Sequence, residues 1–304
     1  MAHTPAAEAP RVGFVAPGSA AEVAELEAAG AASLWVGGHV ASVNPSPEPL
    51  VWLARLIEQT ASAAVGTATL ALPLYPPGLL AKQLADLDRA SGGRITVGAG
   101  VGGEYPSDFD ACEVPLAERG ARADEMIPLL RRFWTAEPVT HDGPHHSFRD
   151  VRIHPAPARP GGPPIVVTGR RGPAIRRAAR LGDGWMPYLY SPERYARAAR
   201  DIHDEAERAG RDLAGFGWYA YVFASVADST AEARKHMLEF LGGTFRQDAE
   251  AILDRVAAAG TPDEVAERLR AFVGAGAGHL ILCPCGPDPH TTALRLLKDV
   301  VPQL

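Results

Sequence analysis

The sequence predicts an α/β fold, a (β/α)8 TIM-like barrel, from three observations. Eight short apolar or β-branched runs each stop at glycine or a polar residue, as strands do. Eight helical patterns alternate with these runs. The chain has 304 residues, and about 250 residues plus insertions is the usual size of such a barrel.

The predicted strands follow one another along the chain. They are RVGFVAPG from Arg11, SLWVGGH from Ser33, AVGTATLALP from Ala64, RITVGAG from Arg94, PIVVTGR from Pro164, GWMPYLY from Gly184, FGWYAYVFA from Phe216 and HLILCPC from His279. The Pro/Gly-rich stretch HPAPARPGGPP (154–164) has four strands on each side. Because a half-barrel of four strands would leave two edges unpaired, we interpret this stretch as a loop inside one domain.

The predicted helices lie between the strands. They are AAEVAELEAAG, PLVWLARLIEQTA, GLLAKQLADLDRASGG, LAERGARADEMIPLLRRFW, PAIRRAARLG, SPERYARAARDIHDEAERAG, TPDEVAERLRAFVGAG and HTTALRLLKDVV. Ser191-Pro192 and Thr261-Pro262 are helix start signals. We predict one domain over residues 1–304, with insertions near 103–116, 138–163 and 229–260. The second insertion is predicted to form a hairpin, VTHDGPHHSFRDVRI, and the third a helical excursion.

Charge and composition exclude several classes of partner. A formal charge of −6, from 30 Lys and Arg against 36 Asp and Glu, provides no basic surface of the kind that nucleic acids require. The start MAHTPAAEAP has neither a charged beginning nor a following apolar run, and no stretch of about 18 apolar residues occurs. We therefore expect a cytoplasmic protein with a small-molecule substrate, no nucleic-acid or membrane partner, and a homodimer as a candidate assembly.

The cysteines do not predict a disulfide framework or a metal site. Cys112, Cys283 and Cys285 are too few and too unevenly placed for disulfides, so reduced thiols are expected. Cys283 and Cys285 with His279 and His290 are zinc-ligand residue types. Their C-x-C spacing differs from the usual C-x-x-C, and a strand HLILCPC would leave His290 to a later turn. We predict no metal.

The stretch GGRITVGAGVGGEYPSDF (92–109) contains Gly98, Gly100 and Gly103 in G-x-G-x-x-G spacing. That motif binds dinucleotides only where the third glycine opens a helix. No helical period begins before Leu116, so we predict a strand end followed by a long loop. The glycines would clear side chains from the barrel mouth so that a flat ligand could lie against backbone. Close packing of the barrel end is the alternative.

In a (β/α)8 barrel the site lies in the loops after the strands. His39 ends the second predicted strand, where an imidazole could protonate or deprotonate a bound substrate. A histidine that is only hydrogen-bonded at a strand end is the alternative.

The stretch TGRRGPAIRR ends the fifth strand and opens a helix. Free amides at the helix start, with Arg170 and Arg171, would form a phosphate cradle. A solvated face is the alternative for this pair. Arg176, Arg177 and Arg180 lie further along the helix and are expected to form such a face.

Four stretches together resemble the bacterial luciferase-like monooxygenase superfamily, in particular its branch that depends on the deazaflavin coenzyme F420. They are SLWVGGHV, GTATLALPLYPPGLLAKQLADLDRASGGRITVGAGVGGEYPSDF, PLAERGARADEMIPLLRRFW and RRAARLGDGW. The resemblance covers nearly the whole chain in order, and the block 66–109 is its specific part. It implies a TIM-like barrel with insertions, a flavin or deazaflavin across the mouth, and redox chemistry on a small organic substrate.

The resemblance also implies site residues. His39 would lie beside the reactive ring as the catalytic residue, and a non-proline cis peptide near Ala68-Thr69 would back the ring. The residues predicted to bind the cofactor are Gly38, Ala68, Thr69, Gly100, Val101, Gly102, Gly103, Glu104, Thr168, Gly169, Arg170, Arg171 and Gly172. Two departures argue against sugar-phosphate dehydrogenation: RVGFVAPG lacks the acidic residue that some F420-dependent dehydrogenases carry, and VASVNP lacks an aromatic after the histidine.

The leading functional hypothesis is an F420-dependent oxidoreductase that moves a hydride between the deazaflavin and a C=C, C=N or C=O bond, with His39 as proton partner. An FMN-dependent monooxygenase is the first alternative, because a fold alone does not choose between the two. A non-catalytic barrel that binds a flavin or nothing is the second. In that case we would expect His39 in the core and the mouth plugged by GEYPSDFDACEVP.

Overall fold

A closed barrel of parallel strands is the centre of the computed structural model, which describes residues 9–15, 18–42, 45–244 and 249–304. The strands are β1 (Arg11–Val15), β2 (Ser33–Val36), β3 (Ala64–Thr67), β4 (Leu70–Ala71), β5 (Ile95–Gly100), β6 (Val139–Asp142), β7 (Ser147–Val151), β8 (Ile165–Thr168), β9 (Gly184–Met186), β10 (Gly217–Val226), β11 (Ala258–Gly260) and β12 (His279–Pro284). Around the barrel they run in the order β10, β12, β1, β2, β3, β5, β8, β9, and β4 pairs with β5 beyond the end of β3.

The barrel closes because β10 pairs on both sides. Gly217 lies opposite Gly184 of β9, and Tyr219 lies opposite His279 of β12, both in parallel register. The stretch 154–164 therefore connects two groups of strands within one barrel, and the predicted eight-stranded (β/α)8 barrel is confirmed. That all residues 1–304 form one domain stays a prediction.

The helices surround the barrel. They are α1 (Ala20–Ala28), α2 (Pro49–Gln59), α3 (Pro77–Ala90), α4 (Pro106–Ala111), α5 (Arg119–Phe133), α6 (Gly172–Leu181), α7 (Pro192–Arg208), α8 (Thr230–Thr244), α9 (Ala249–Val256), α10 (Pro262–Gly274) and α11 (Pro289–Arg295). Both predicted start signals are confirmed: Ser191 caps α7 by accepting the Arg194 amide proton, and Thr261 precedes α10 with its amide bonded to Glu264. In the described ranges no helix combines the length and apolar character needed to span a membrane.

The insertions agree only in part with the sequence-based predictions. β6 and β7 form the predicted antiparallel hairpin. The segment 103–116, predicted as a long loop, instead contains the six-residue helix α4. Pro106 suits the first turn of a helix, where its missing N–H costs nothing, and Asp108 and Phe109 are buried beneath the turn. The excursion after β10 contains α8 and α9 as expected, and also β11, which pairs with the outer part of β10.

A buried polar cluster surrounds His279 at the N-terminal end of the barrel, opposite the predicted site. Its Nε2 lies 2.8 Å from the hydroxyl oxygen of Ser33, which also accepts the indole N–H of Trp35 at 2.7 Å. The ring of Tyr219 stacks on the imidazole with 4.9 Å between centroids. Burial, with a smaller contribution from the charge of Arg11, lowers the pKa of His279 to about 3.

We expect His279 to make the protein less stable in mild acid. An unfolded chain protonates an imidazole below about pH 6.5, whereas the folded protein keeps His279 neutral down to about pH 3. The unfolded state then binds more protons, so the free energy of unfolding falls as the pH drops below about 6.5, by at most about 1.4 kcal/mol per pH unit. Urea unfolding at about pH 7.5 and about pH 5 should show a smaller loss for His279→Gln than for the wild type. Equal losses would contradict a neutral buried imidazole.

Candidate active site

The predicted site residues lie together at the C-terminal ends of neighbouring barrel strands. They are Gly38 and His39 after β2, Ala68 and Thr69 after β3, Gly100, Val101, Gly102, Gly103 and Glu104 at the end of β5, and Thr168, Gly169, Arg170, Arg171 and Gly172 at the end of β8. Because β2, β3, β5 and β8 are consecutive in the barrel, these loops form one continuous arc of the mouth. That they bind a cofactor stays a prediction.

His39 is held by a carboxylate that the sequence analysis missed. Its Nδ1 lies 2.9 Å from Oδ2 of Asp108, in α4. The other carboxylate oxygen, Oδ1, accepts the amide protons of Val40 at 2.8 Å and Ala41 at 2.7 Å. Asp108 is almost fully buried, whereas the side chain of His39 keeps 33% of its surface exposed. The carboxylate is therefore enclosed, while the imidazole remains open to solvent.

Further contacts fix the orientation of the imidazole. The His39 amide donates to Oγ of Ser46 at 3.0 Å, and the ring of Tyr105 lies edge-on to the imidazole with 4.6 Å between centroids. A neutral imidazole beside a carboxylate carries its proton on the nitrogen that faces the carboxylate, here Nδ1. Nε2 is then the nitrogen that can exchange a proton with a bound molecule.

The loop between β3 and β4 has the predicted backbone geometry. The Ala68–Thr69 peptide bond is cis, with no proline involved. The Thr69 hydroxyl donates to the carbonyl of Gly98 at 2.8 Å and lies 3.0 Å from the hydroxyl of Thr168. These bonds hold the ends of three neighbouring strand segments together beneath the mouth.

The glycines that end β5 serve two different structural purposes. A Cβ at Gly98 would lie 1.9 Å from a backbone oxygen of β3, and one at Gly100 would lie 2.8 Å from a threonine hydroxyl. Close packing of the barrel end, the alternative considered above, therefore accounts for both. Gly102 and Gly103 have φ angles of +65° and +103°, which favour glycine. Gly102 is exposed, and so it remains a candidate for contact with a ligand.

The start of α6 lies at the mouth and exposes backbone there. Its N-cap residue, Arg171, makes no capping hydrogen bond through its side chain, and Gly172 is exposed. Gly169 has a φ of +135°, which turns the backbone between β8 and the helix. A helix start with free N–H groups and the positive end of the helix dipole can bind an anion.

Two arginines add positive charge beside this helix start. The guanidinium of Arg170 lies 4.6 Å from the ring centroid of Tyr188. The backbone carbonyl of Arg170 accepts the hydroxyl of Tyr190 at 2.8 Å and the guanidinium of Arg194 at 3.0 Å. Arg194, which the sequence analysis missed, thus lies beside the backbone of Arg170. Its position on α7 gave no local signal of a link to the β8 loop.

The predicted solvated face of α6 is wrong for one residue. Arg176 and Arg180 are exposed, but Arg177 is buried, and its Nε lies 2.6 Å from Oδ1 of Asp124 on α5. Arg177 also donates to the carbonyl of Gly120 at 3.0 Å. The Arg177 side chain therefore links α6 to α5, because it lies on the face of α6 that packs against α5.

The tyrosines of the mouth are poor candidates for proton exchange at neutral pH. Burial raises the pKa of Tyr188 and of Tyr190. The Tyr190 hydroxyl proton is also committed to the carbonyl of Arg170. A neutral imidazole, by contrast, has one nitrogen that can donate a proton and one that can accept it. His39 is therefore the best-suited proton donor or acceptor of this arc.

The residues considered as a zinc site are dispersed. His279 begins β12, Cys283 lies near its other end, and His290 pairs with Glu25 at 2.9 Å. Across the ranges that the structure describes, no three His, Cys, Asp or Glu side chains are arranged to hold a metal ion.

A family model for luciferase-like monooxygenases matches residues 4–279, nearly the whole chain. The chain belongs to the luciferase-like monooxygenase family. The resemblance that was inferred from the sequence motifs is thereby confirmed, and it agrees with the closed barrel.

Individual relatives of this luciferase-like chain include both characterised and uncharacterised proteins. It is 27% identical over 298 residues to an F420-dependent glucose-6-phosphate dehydrogenase of Gordonia bronchialis, which covers 88% of this chain and 84% of that protein. It is 34% identical over 168 residues to an uncharacterized protein of Mycobacterium tuberculosis, and this match spans 55% of this chain and little more than half, 57%, of that relative.

Solved structures share the fold of this luciferase-like chain. An F420-dependent secondary alcohol dehydrogenase in complex with an F420-acetone adduct has a TM-score of 0.85 at 18% identity, over 97% of this chain and 99% of that one. The FMN-bound oxygenating constituent of 3,6-diketocamphane monooxygenase from Pseudomonas putida has a TM-score of 0.80 at 19% identity, over 98% and 99%. At these identities the likeness concerns the fold alone.

Proposed function

We propose that this luciferase-like chain is an F420-dependent oxidoreductase that moves a hydride between the deazaflavin and a C=C, C=N or C=O bond of a small organic substrate. The observation that carries the proposal is the His39–Asp108 pair, which lies in the same arc as the cis Ala68–Thr69 peptide and the open start of α6. Relatives matched over more than four fifths of their length are F420-dependent dehydrogenases, which supports this cofactor.

The residues of the arc fit a flat, phosphate-bearing cofactor. The cis peptide and exposed Gly102 offer backbone surface for a ring, and the backbone amides of Gly169–Gly172 with Arg170 and Arg171 offer donors for a phosphate. When bound, the deazaflavin supplies or accepts the hydride. The chain's own residues would hold the cofactor, orient the substrate and move one proton.

His39 would donate the proton to the substrate or accept it from the substrate. A double bond that accepts a hydride at one atom develops negative charge on the neighbouring atom, and a positioned acid neutralises that charge. Asp108 keeps the imidazole in one orientation and stabilises its positive form through the bond to Nδ1. Nε2 then delivers the proton during reduction and accepts it during oxidation. Because Asp108 is buried, its charge acts in a medium where water screens it little.

An FMN-dependent monooxygenase is the second candidate function. It is favoured by the name of the family and by the shared fold of an FMN-bound monooxygenase. The non-catalytic alternative would be favoured by a His39 that points into the core and a mouth plugged by GEYPSDFDACEVP. His39 is instead one-third exposed, and Glu104, Pro106 and Ser107 of that segment are exposed as well. The cytoplasmic location and the homodimer expected from the sequence remain proposals.

Titration of the purified protein with F420 and with FMN tests the proposed cofactor, and Arg170 and Arg171 provide a prediction within it. We expect tighter binding of F420 than of FMN. Charge reversal at both arginines, Arg170→Glu with Arg171→Glu, should weaken F420 binding about tenfold to a hundredfold, because charge-assisted hydrogen bonds contribute about 1.5–3 kcal/mol. The remaining affinity should also depend less on salt.

The matched control is Arg197→Glu with Arg200→Glu, which makes the same charge change at two exposed positions on α7. It should leave the dissociation constant close to that of the wild type. Tighter binding of FMN would favour the monooxygenase alternative. If F420 affinity did not change after the double reversal, Arg170 and Arg171 would belong to a solvated face and would not bind the cofactor phosphate.

A further inference from the structure

The mouth has a second side, opposite the arc described above, and it is apolar. Helices α8 and α9 pack over the C-terminal ends of β10 and β12 and bury a cluster there, which we call the insertion cluster. Its buried members are Leu189, Phe223, Met237, Leu241, Leu253, Ala257, Cys283 and Cys285. Partly exposed apolar side chains rest on this cluster, among them Tyr188, Leu238 and Phe240. The ring of Phe240 lies 5.7 Å from that of Phe223, between centroids.

The apolar side chains at the base of this second side of the mouth adjoin those at the predicted ring site. A second cluster fills the barrel interior and consists of Trp35, Val166, Met186 and Ile281. Ala68, at the cis peptide, packs on this interior cluster, and so do Val15 and Tyr221. Val15 and Tyr221 also pack on the insertion cluster. A molecule placed next to a ring at Ala68 would therefore lie on Val15 and Tyr221, below α8.

Several polar side chains of this region are already engaged. The Tyr221 hydroxyl is hydrogen-bonded to the thiol of Cys283. Burial raises the pKa of that hydroxyl, so it stays protonated. The thiol of Cys285 donates to the carbonyl of Cys283 at 3.3 Å. Arg170 reaches this side at Tyr188, with its guanidinium 4.6 Å from the ring centroid, and is the residue assigned above to the cofactor phosphate. The side chains named here thus offer rings and alkyl groups, and no unengaged cation for a substrate phosphate.

We propose that the substrate is an uncharged compound whose reacting double bond carries an apolar carbon skeleton, with the skeleton lying on Val15 and Tyr221 and against Phe240. The inference rests on the proposed function, since it assumes that the reacting bond lies between the ring site and His39. In the reduction of a ketone of this class, the carbonyl carbon would accept the hydride that a bound, reduced deazaflavin supplies. The carbonyl oxygen accepts a proton from His39, and a secondary alcohol results.

A homologous series of ligands measures this apolar surface directly. The probes are straight-chain methyl ketones from acetone to 2-heptanone, with glucose 6-phosphate as the charged comparison, and the readout is their dissociation constant from the F420-loaded protein. Each added methylene should tighten binding about fourfold, the factor that corresponds to about 0.8 kcal/mol for a buried methylene. Glucose 6-phosphate should bind more weakly than the longer ketones. Because binding is measured, the result does not depend on turnover.

Single substitutions test whether Phe240 forms part of the apolar surface that binds the ketones. Phe240→Ala should abolish most of the gain between the short and the long ketones, and Phe240→Leu should restore part of it. Leu79→Ala, a similar truncation at a side chain on α3 that is 54% exposed, should leave the series unchanged. Affinities that do not change with chain length, no binding of any ketone, or preferred binding of glucose 6-phosphate would overturn the inference. A protein that does not bind F420 at all would instead overturn the proposed function.

Discussion

His39→Ala is expected to lower turnover by about 10² to 10⁴, the usual contribution of a positioned general acid or base. The variant removes the imidazole that is the predicted proton partner of the substrate. Affinity for the cofactor should change much less, because the ring and phosphate are predicted to lie at Ala68, Gly102 and Gly169–Gly172. Single-turnover hydride transfer, followed by the absorbance of the deazaflavin, separates the chemical step from binding.

Tyr105→Phe is the matched control for His39→Ala. It keeps the edge-on ring contact with the imidazole, 4.6 Å between centroids, but removes a hydroxyl that could donate a proton. Turnover of Tyr105→Phe should remain close to that of the wild type. Near-normal turnover of His39→Ala, with a loss in Tyr105→Phe, would assign the proton to the tyrosine and leave His39 a structural role.

The barrel could be predicted from the sequence because each of its units carries a local signal. The eight barrel strands are short runs that stop at glycine or a polar residue, and helix starts such as Ser191-Pro192 have a chemical cause that acts within a few residues. Closure follows once four strands lie on each side of the 154–164 stretch, since neither half could satisfy its own edges. Positions at strand ends, including His39, then follow from the architecture.

The partners of the site residues could not be predicted in this way. Asp108 is 69 positions from His39. The sequence around Asp108 predicts a proline-flanked loop, whereas the structure has the helix α4 there. The bond between them forms only when the β2 and β5 loops meet at the mouth. Arg177 shows the same limit: its periodicity places it on a helix, but which face meets α5 is decided by packing between helices.

Asp108→Asn is expected to lower turnover by up to about 10⁴, by analogy with the loss that follows when an asparagine replaces the carboxylate behind a catalytic histidine. Two backbone amides, those of Val40 and Ala41, donate to one side of the Asp108 carboxylate. In the variant the side-chain oxygen should face these two donors, which turns the amide NH₂ toward His39 Nδ1. Nδ1 must then accept, so the imidazole proton moves to Nε2, and the positive form loses its counter-charge.

Nitrogen-15 NMR of the histidine rings distinguishes this tautomer change from a general loosening of the loop. Asp110→Asn is the matched control, because it makes the same substitution at an exposed carboxylate in the same short helix. It should change neither the tautomer of His39 nor turnover. Asp108→Ala should in addition leave two amides without a buried acceptor and lower the melting temperature. If Asp108→Asn kept the Nδ1–H tautomer and normal turnover, Asp108 would act only as an anchor for residues 39–41, because the proton on His39 would then be positioned without it.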